Sequence, residues 1–416
     1  MIEIDIPGSK SITQRAIICS CLANGESILT NPLLCEDSIY LIKGLKRLGI
    51  KIDCLENRIE INGNGGIFKD NGKAEIFMGN NGTGYRFLLT LSNFYKNQLI
   101  LTGNEKLQQR PIKPLVDSLL NLRFNIEYLK RKGYPPVKIL PTKVNFNKKI
   151  NVKIDASVSS QFISSLLLSG IFFKKGIEVI TEGRVVSTPY IEITLKVMKD
   201  FGVDVFTSKN RFTIPEFSTY KCRTYNIEGD FSSASYFMGA AFFLKKEIKL
   251  KNLNYETSLQ GDKHFIKVLE KMGGKFEILK NEIVVKPAPL HGITIDMNKM
   301  PDIVPTLSVV ASIAKGNTLI KNIKHLRYKE TDRINAICKN LNSIGIIAEN
   351  GDDYILIKPF IGKERCFNKV IDPEDDHRIA MSFALFKLIG WDVNILNKEC
   401  VKKSFPDFWK LFETLF

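Results

Sequence analysis

The sequence is poor in the side chains that build metal sites. Its 416 residues include four histidines, all far apart, and eight cysteines without a single Cys-X-X-Cys pair. A structural zinc site needs four such ligands, usually at short and regular spacings. We therefore expect no metal site, and we expect the cysteines to be buried, unpaired thiols of a protein from a reducing compartment.

Long apolar runs and targeting segments are also missing. The longest apolar run, residues 236–244, is far shorter than the roughly 20 residues that cross a bilayer. The first residues, Met1 to Asp5, alternate apolar and acidic side chains, unlike a secretory or transit peptide. With 44% hydrophobic and 25% charged residues, the sequence predicts a globular, cytoplasmic protein without a membrane partner, long enough for two domains.

Positive charge is abundant, since Lys and Arg exceed Asp and Glu by 16. Such an excess is found in proteins that bind nucleic acids, membrane surfaces or small anions. It also arises where a proteome simply favours Lys. The basic residues stand mostly singly beside Ser, Gly or Asp, and no dense basic tract with interleaved aromatics occurs. This pattern favours pockets for small anions and argues against a nucleic-acid partner.

A repeated segment organises the chain. Helix-like residues, a glycine stop and the start of a strand recur from residues 45, 119, 198, 269 and 341. The second copy lacks the glycine and has Arg123 in its place. Hairpin patterns follow two copies, around Glu56-Asn57 and Asn350-Gly351. The even spacing predicts about six copies of one supersecondary unit, and hence an α/β or α+β fold whose size suits two similar lobes of three units each.

The chain opens with a concentrated set of polar residues. An alternating strand over residues 2–6 ends at Pro7-Gly8, and a helix is predicted from Ala16. Between them lie Lys10, Arg15 and three hydroxyl side chains. Hydroxyls, cations and backbone N–H groups at a helix start suit an anion, although an ordinary capped helix has the same composition. With only one glycine, the stretch is not the Walker phosphate loop.

Eight further segments combine charged, hydroxyl or glycine residues with a turn or a helix start. Each one taken alone is also explained as a helix cap, a turn or a solvated helix face. These segments are residues 79–86, 109–114, 155–161, 186–190, 300–302, 327–333, 375–378 and 402–407.

Taken together, the segments resemble one family from the first residues to the last, the 5-enolpyruvylshikimate-3-phosphate synthases. The matching runs, in chain order, are PGSKSITQRA, RPIKPLVDSL, SVSSQF, STPYIEITL, GDFSSASYF, KETDRI, DDHRIAM and FPDF. The resemblance implies an enzyme of aromatic amino-acid biosynthesis that transfers the enolpyruvyl group of phosphoenolpyruvate to the 5-hydroxyl of shikimate 3-phosphate. It also implies a monomer that needs no cofactor.

The same resemblance implies an inside-out α/β barrel, in which each lobe has three repeated units around buried parallel helices. The first lobe would combine residues 1–9 with 228–416, and the second would span residues 10–227. Hinges would lie near residues 9–11 and 226–228, so that Lys10 stands where the chain crosses from one lobe to the other.

By resemblance, the site residues form three groups. The catalytic residues are Asp302, as base for the 5-hydroxyl, and Glu330 with Lys10, which handle the proton of the methylene carbon. Shikimate 3-phosphate would be held by Lys10, Ser11, Arg15, Ser159, Ser160, Gln161, Ser187, Tyr190, Asp302, His325 and Lys329. Phosphoenolpyruvate would be held by Lys10, Asn80, Gly82, Arg110, Gln161, Arg333, Arg378 and Lys403. The inhibitor glyphosate, slightly longer than phosphoenolpyruvate, would compete with it because Gly82 leaves room.

Three residues depart from the family pattern. His325 stands at a position where Asn is common, Phe87 where Pro is common, and Asn81 where a small residue is common. The nearest alternative is the enolpyruvyl transferase that acts on UDP-N-acetylglucosamine, which resembles this chain in fold. That enzyme typically has Lys-Asn in place of Lys10-Ser11 and a reactive Cys in a mobile loop, whereas the corresponding region here, near Arg110, has no Cys.

Overall fold

The chain folds as two compact units. The computed structural model describes residues 1–69, 71–142, 146, 148–360 and 368–416. The continuous unit is Gly8–Ile227, and the discontinuous unit combines Met1–Pro7 with Glu228–Phe416. The chain therefore begins in one unit, builds the whole of the other, and then returns to the first.

Twelve α-helices lie within the described residues. They are α1 (Lys10–Leu22), α2 (Glu36–Arg47), α3 (Gly82–Leu91), α4 (Lys113–Asn121), α5 (Gln161–Leu168), α6 (Pro189–Asp200), α7 (Phe231–Leu244), α8 (Phe265–Lys271), α9 (Val304–Ser312), α10 (Arg333–Ser343), α11 (His377–Phe383) and α12 (Phe408–Glu413).

The described residues also form 22 short strands. They are β1 (Ile2–Asp5), β2 (Asn24–Thr30), β3 (Lys51–Leu55), β4 (Arg58–Asn64), β5 (Ala74–Phe77), β6 (Leu99–Thr102), β7 (Asn125–Tyr128), β8 (Val137–Leu140), β9 (Ile150–Asp155), β10 (Ile177–Glu182), β11 (Phe206–Ser208), β12 (Arg211–Ile214), β13 (Thr224–Asn226), β14 (Ile248–Lys251), β15 (Lys275–Leu279), β16 (Glu282–Lys286), β17 (Thr294–Asp296), β18 (Thr318–Lys321), β19 (Ala348–Asn350), β20 (Tyr354–Ile357), β21 (Lys369–Ile371) and β22 (Val393–Ile395).

Three four-stranded sheets in the continuous unit share one strand order. In each sheet a parallel pair of strands is extended by an antiparallel hairpin. The orders are β5-β6-β8-β7, β9-β10-β12-β11 and β13-β2-β4-β3. The last sheet takes its first strand from the far end of the unit, because β13 pairs in parallel with β2.

The discontinuous unit repeats this order. Its four-stranded sheets are β1-β14-β16-β15 and β17-β18-β20-β19, and the parallel pair β21-β22 forms a third, smaller sheet. Strand β1 aligns Ile2 with Ile248 and Asp5 with Lys251 of β14, so the first strand of the chain pairs with one that begins 246 residues later. Three sheets in each described unit confirm the sixfold repeat that the sequence predicts.

The repeated helix stops share one backbone conformation. In all five copies the residue two positions after the helix end has a positive φ, between +66° and +109°. Four of these residues are glycines, which adopt this conformation without steric cost. Arg123 adopts it at +66° without being a glycine. The two predicted hairpins are also confirmed, with Leu55 opposite Arg58 and Asn350 opposite Ile355.

Buried helices form the core of each unit, as predicted. In the discontinuous unit, 13 of the 14 residues of α7 and all nine of α9 are buried. Ser235 Oγ of α7 lies 3.2 Å from Thr306 Oγ1 of α9, and Gly239 approaches Val310 one turn later. From the first contact to the second, both helices advance by four residues in the same direction, so α7 and α9 run parallel. The surrounding strands alternate buried with partly or fully exposed residues, as expected of sheets with one solvated face.

The structure bears on two expectations, one about the cysteines and one about membrane-spanning segments. The described cysteines are all unpaired, but Cys54 and Cys222 are exposed, so the expectation of uniformly buried thiols is wrong; both lie outside the two cores, in or beside surface strands. Cys366 lies outside the described residues. No helix within the described residues combines the length and apolar character of a membrane span.

Candidate active site

Asp302 lies in the turn before α9, where two arginines hold its carboxylate. Oδ1 accepts from Arg333 Nη1 and Oδ2 accepts from Arg378 Nη2, both at 2.8 Å. Lys329 Nζ lies 3.6 Å from Oδ1. Burial alone would raise the pKa of Asp302, but Arg378, Lys329 and Arg333 outweigh it and lower the pKa well below its usual range. The resting carboxyl is therefore ionised.

Arg333, the first residue of α10, connects three carboxylates. Its Nε donates to Asp376 Oδ2 at 2.7 Å, Nη2 donates to Glu330 Oε2 at 2.8 Å, and Nη1 binds Asp302. Only 1% of this side chain is exposed. Burial opposes its charge, yet the three carboxylates raise its pKa above the usual value. Arg333 is thus a fixed positive charge that holds three acids in place.

Glu330 brings a further cation to this cluster. Its Oε1 lies 3.8 Å from Lys403 Nζ, while its Oε2 binds Arg333. The side chains of Glu330 and Lys403 are both buried. The cluster of the discontinuous unit thus has four cations, Lys329, Arg333, Arg378 and Lys403, around three carboxylates, Asp302, Glu330 and Asp376. Such a cluster can bind anions and also contains groups that can exchange protons. His325 lies buried in the short 3-10 helix Lys324–Tyr328, just before Lys329.

In the continuous unit, Lys10 is the first residue of α1. Its Nζ lies 3.0 Å from Oδ2 of Asp37, which lies in the first turn of α2. The predicted helix start at Ala16 is wrong, because α1 already begins after Ser9, whose carbonyl accepts from Thr13 N at 2.8 Å. The polar first turns of α1 are helical because tertiary contacts satisfy them, which local sequence patterns do not reveal.

Arg15 is buried within α1 and donates to uncharged hydroxyl and carbonyl acceptors. Nε donates to Thr194 Oγ1 at 2.7 Å, Nη1 to Ser11 O at 2.8 Å and Nη2 to Tyr190 O at 3.1 Å. Its guanidinium also lies 5.4 Å from the ring centre of Phe87. Burial lowers the pKa of Arg15 to about 10, so the side chain remains charged at neutral pH. Arg15 therefore orients the helix starts that present Ser11 and Tyr190.

The predicted serines and Gln161 lie at two neighbouring helix starts. Gln161 begins α5, and its backbone N–H donates to Ser159 Oγ at 3.3 Å. Ser160 is buried beside them. Ser187, just before α6, has a φ of +54°, an uncommon conformation for a residue other than glycine. Ser164 Oγ of α5 lies 2.8 Å from Thr194 Oγ1 of α6, which joins the two helices within two turns of their starts.

Arg86 and Arg110 lie beside two predicted site residues, Gln161 and Gly82. Arg86 donates to Gln161 Oε1 and to Pro111 O, and the amide of Gln161 donates to Thr83 Oγ1 at 2.9 Å. Arg110 Nη1 lies 3.4 Å from Asn80 O. A Cβ placed on Gly82 would lie 2.6 Å from Arg110 Nη1, so the guanidinium occupies the space that a side chain there would need.

Nearly the whole chain matches a known protein family. A family model described as EPSP synthase (3-phosphoshikimate 1-carboxyvinyltransferase) matches residues 2–412. A 3-phosphoshikimate 1-carboxyvinyltransferase of Buchnera aphidicola subsp. Cinara cedri is 40% identical over an alignment of 418 residues. The alignment covers 99% of this chain and 94% of the relative. That of Sulfurovum sp. is 38% identical, with 99% and 96% covered. The chain belongs to the EPSP synthase family.

Solved structures agree with this assignment. EPSP synthase from Acinetobacter baumannii superposes with a TM-score of 0.78 at 25% identity, covering 99% of this chain and 95% of that one. The enolpyruvyl transferase NikO from Streptomyces tendae shares the fold, with a TM-score of 0.75 at 13% identity, covering 100% and 94%. The chain is accordingly a transferase of the shikimate route to aromatic amino acids, and the family's reaction moves an enolpyruvyl group from phosphoenolpyruvate to shikimate 3-phosphate.

Two acids that bind predicted site residues were given no role from the sequence. Asp376 binds Arg333, and Asp37 binds Lys10. Asp376 lies within a segment already singled out, but an acid before a helix is more often a cap. Asp37 lies in the acidic first turn of α2, where nothing local separates it from an ordinary helix-terminal charge.

Proposed function

We propose that this chain catalyses the family's transfer with the residues named by resemblance in their predicted roles. The 5-hydroxyl oxygen of shikimate 3-phosphate attacks C2 of phosphoenolpyruvate. The methylene carbon of phosphoenolpyruvate gains a proton in the same step. The tetrahedral adduct then loses phosphate as a proton leaves the new methyl group. Asp302 accepts the hydroxyl proton, and Glu330 with Lys10 handles the carbon-bound proton.

The observation that carries this proposal is the Asp302 carboxylate between Arg333 and Arg378. In the resting site the cations keep Asp302 ionised but weakly basic. An anion that takes up the charge of Arg378 would weaken this field, and the pKa of Asp302 would rise. The base would therefore become strong only when substrate is present, which limits unproductive proton exchange.

The cations of both units suit substrates that carry two phosphates and two carboxylates. In the discontinuous unit, we assign Arg333, Arg378 and Lys403 to phosphoenolpyruvate and Lys329, His325 and Asp302 to shikimate 3-phosphate. In the continuous unit, Asn80, Gly82 and Arg110 serve phosphoenolpyruvate, Gln161 and Lys10 serve both substrates, and shikimate 3-phosphate is assigned to Ser11, Arg15, Ser159, Ser160, Ser187 and Tyr190. Because Arg15 binds Ser11 and Tyr190 directly, its role includes holding those two ligands.

Further features of the proposal follow the family resemblance. The enzyme acts in the cytoplasm as a monomer, without a cofactor. Segments near residues 9–11 and 226–228 serve as hinges. Glyphosate competes with phosphoenolpyruvate, because it carries similar anionic groups and Gly82 adds no side chain beside Arg110.

The test is phosphate release from phosphoenolpyruvate with either of two acceptors. We expect release with shikimate 3-phosphate and none with UDP-N-acetylglucosamine. Omitting the acceptor measures background hydrolysis. Release only with UDP-N-acetylglucosamine would overturn the proposal in favour of the other enolpyruvyl transferase.

A further inference from the structure

Asp262 is a buried carboxyl to which the reaction above assigns no role. It lies in the short 3-10 helix Gly261–His264 before α8, and only 4% of the residue is exposed. Its Oδ2 accepts a hydrogen bond from Ser232 Oγ of α7. Its Oδ1 is buried and has no hydrogen-bond partner among the described residues. A carboxylate oxygen left in this state is costly, whereas a protonated oxygen costs much less.

The charges around Asp262 act in opposite directions. Asp302 and Asp230 favour its protonated form, while Arg378 and the Ser232 hydroxyl favour the ionised form. The adjacent Lys263 is directed elsewhere, since its Nζ donates to the carbonyls of Tyr255 and Ser258. Burial, followed by the charge of Asp302, raises the pKa of Asp262 to about 7. Its protonation is therefore poised to respond to small changes of nearby charge.

Arg378 and Asp262 are both held by one face of α7. Ser232 donates to Asp262, and Tyr236, four residues later on α7, has its Oη 3.4 Å from Arg378 Nη1. Arg378 Nη2 also binds Asp302 Oδ2 at 2.8 Å. An anion bound to Arg378 would cancel part of the positive field that favours ionised Asp262. We propose that Asp262 takes up a proton from solvent as phosphoenolpyruvate binds and thereby sets the pH dependence of that binding. This inference rests on the proposed role of Arg378 as a ligand of phosphoenolpyruvate.

The sign of the effect follows from linkage. If binding takes up a proton, binding weakens as pH rises and Asp262 loses that proton before the substrate arrives. Ionised Asp262 would then compete with the substrate for the charge of Arg378. Asp262 is in this sense a positioning residue, because it acts on the substrate through Arg378.

The main test compares wild type with Asp262→Asn, which is neutral at every pH and can keep the hydrogen bond to Ser232. We expect the wild-type KM for phosphoenolpyruvate to rise roughly tenfold from about pH 6.5 to about pH 9, and the variant's KM to rise much less. Calorimetry in two buffers of different ionisation enthalpy should show proton uptake on binding that is smaller in the variant. Ionisation of the substrate itself is common to both proteins and cancels in the comparison.

Ser232→Ala provides a change of opposite kind. Removing the hydroxyl takes away a group that favours ionised Asp262, so the rise in KM should move to higher pH. A purely structural role would alter stability or turnover in both variants without moving the pH profile. Equal pH profiles and equal proton uptake in all three proteins would overturn the inference.

Arg378→Gln separates this inference from the proposed function. If that variant binds phosphoenolpyruvate as tightly as wild type, the assignment of Arg378 is wrong and the inference fails with it. If Arg378→Gln loses affinity while Asp262→Asn keeps the wild-type pH profile and proton uptake, the proposed function stands and the role of Asp262 alone is refuted.

Discussion

The two units hold their buried arginines in different ways. In the discontinuous unit, Arg333 donates to three carboxylates, those of Asp302, Glu330 and Asp376. In the continuous unit, Arg15 donates to hydroxyl and carbonyl oxygens, which carry no net charge. Arg86 likewise donates to an amide oxygen and a carbonyl.

This difference separates two chemical tasks. Neutral acceptors orient a guanidinium without cancelling its charge, so the positive charge of Arg15 remains available to anions. Carboxylates around Arg333 cancel much of its charge, but they add groups that can accept and donate protons. The structure therefore concentrates acids suited to proton transfer in the discontinuous unit, and mutations in the two units should have different consequences.

The largest expected effect is the loss of turnover in Asp302→Asn and Glu330→Gln. Each should lower kcat about 10²- to 10⁴-fold with much smaller changes in substrate affinity, because proton transfer matters mainly in the transition state. Asp352→Asn is a matched control, since that acid lies in the same unit with 67% of its side chain exposed. Near-normal turnover in either active-site variant would show that its carboxylate is not the acid or base.

A second large effect concerns stability. Arg333→Gln leaves Asp376, whose side chain is fully buried, without its main cation, and should cost about 3–5 kcal/mol. Arg15→Gln loses hydrogen bonds to neutral acceptors and should cost about 1–3 kcal/mol. Urea unfolding can be followed by Trp391 and Trp409, the two tryptophans, both in the discontinuous unit, and by hydrogen exchange in the continuous unit. Equal costs for the two variants would contradict the contrast between the units.

Gly82→Ala should have a moderate effect on ligand binding. The new methyl group would lie 2.6 Å from Arg110 Nη1 and push the guanidinium towards the ligand, at a cost of about 1–3 kcal/mol. Both anions should bind less well, and glyphosate, being longer, should lose more affinity than phosphoenolpyruvate. Inhibition kinetics at varied phosphoenolpyruvate measure both constants, with the KM for shikimate 3-phosphate as an internal control. An insensitive wild type, or equal losses for the two ligands, would refute this account.

The smallest expected effect is a change in the pH dependence of stability. The pKa of Asp302 is lowered in the folded state. Its contribution to folding stability is therefore complete above the usual pKa of 3.8 and is lost as pH falls through the lower pKa of the folded state. The stability gap between wild type and Asp302→Asn should therefore close in strong acid. Tryptophan fluorescence during urea unfolding at several pH values measures this gap.

Asp262→Asn is the control of opposite sign. The pKa of Asp262 is raised to about 7, so wild type should lose stability relative to this variant as pH rises from 3.8 towards 7. If both gaps moved in the same direction with pH, the assignment of one ionised and one protonated carboxyl would be wrong.

The repeated unit was largely predictable from sequence, for local reasons, whereas the candidate site residues were named by resemblance to a family. A helix stop followed by a strand has a short-range signature in glycine and in alternating residues, and the five predicted copies match helices and strands of the structure. Segments such as 300–302 and 375–378 combine charge with a helix start, and the structure joins Asp302 to Arg378. Asp37, which binds Lys10, and Asp376, which binds Arg333, have the same local pattern as ordinary helix-terminal acids and were not distinguished.

Tertiary structure alone decided which distant residues share a sheet and which charges share a pair. Nothing local to Ile2–Asp5 specifies that this strand pairs with β14, or that β13 returns to β2, because backbone pairing depends on the whole assembled unit. The helix start at Lys10 was equally hidden, since its polar residues are satisfied only by partners such as Asp37 and Thr194 that arrive from elsewhere. Amino-acid order determines periodicity and turn chemistry over a few residues, whereas burial and the field of neighbouring charges exist only after the chain has folded.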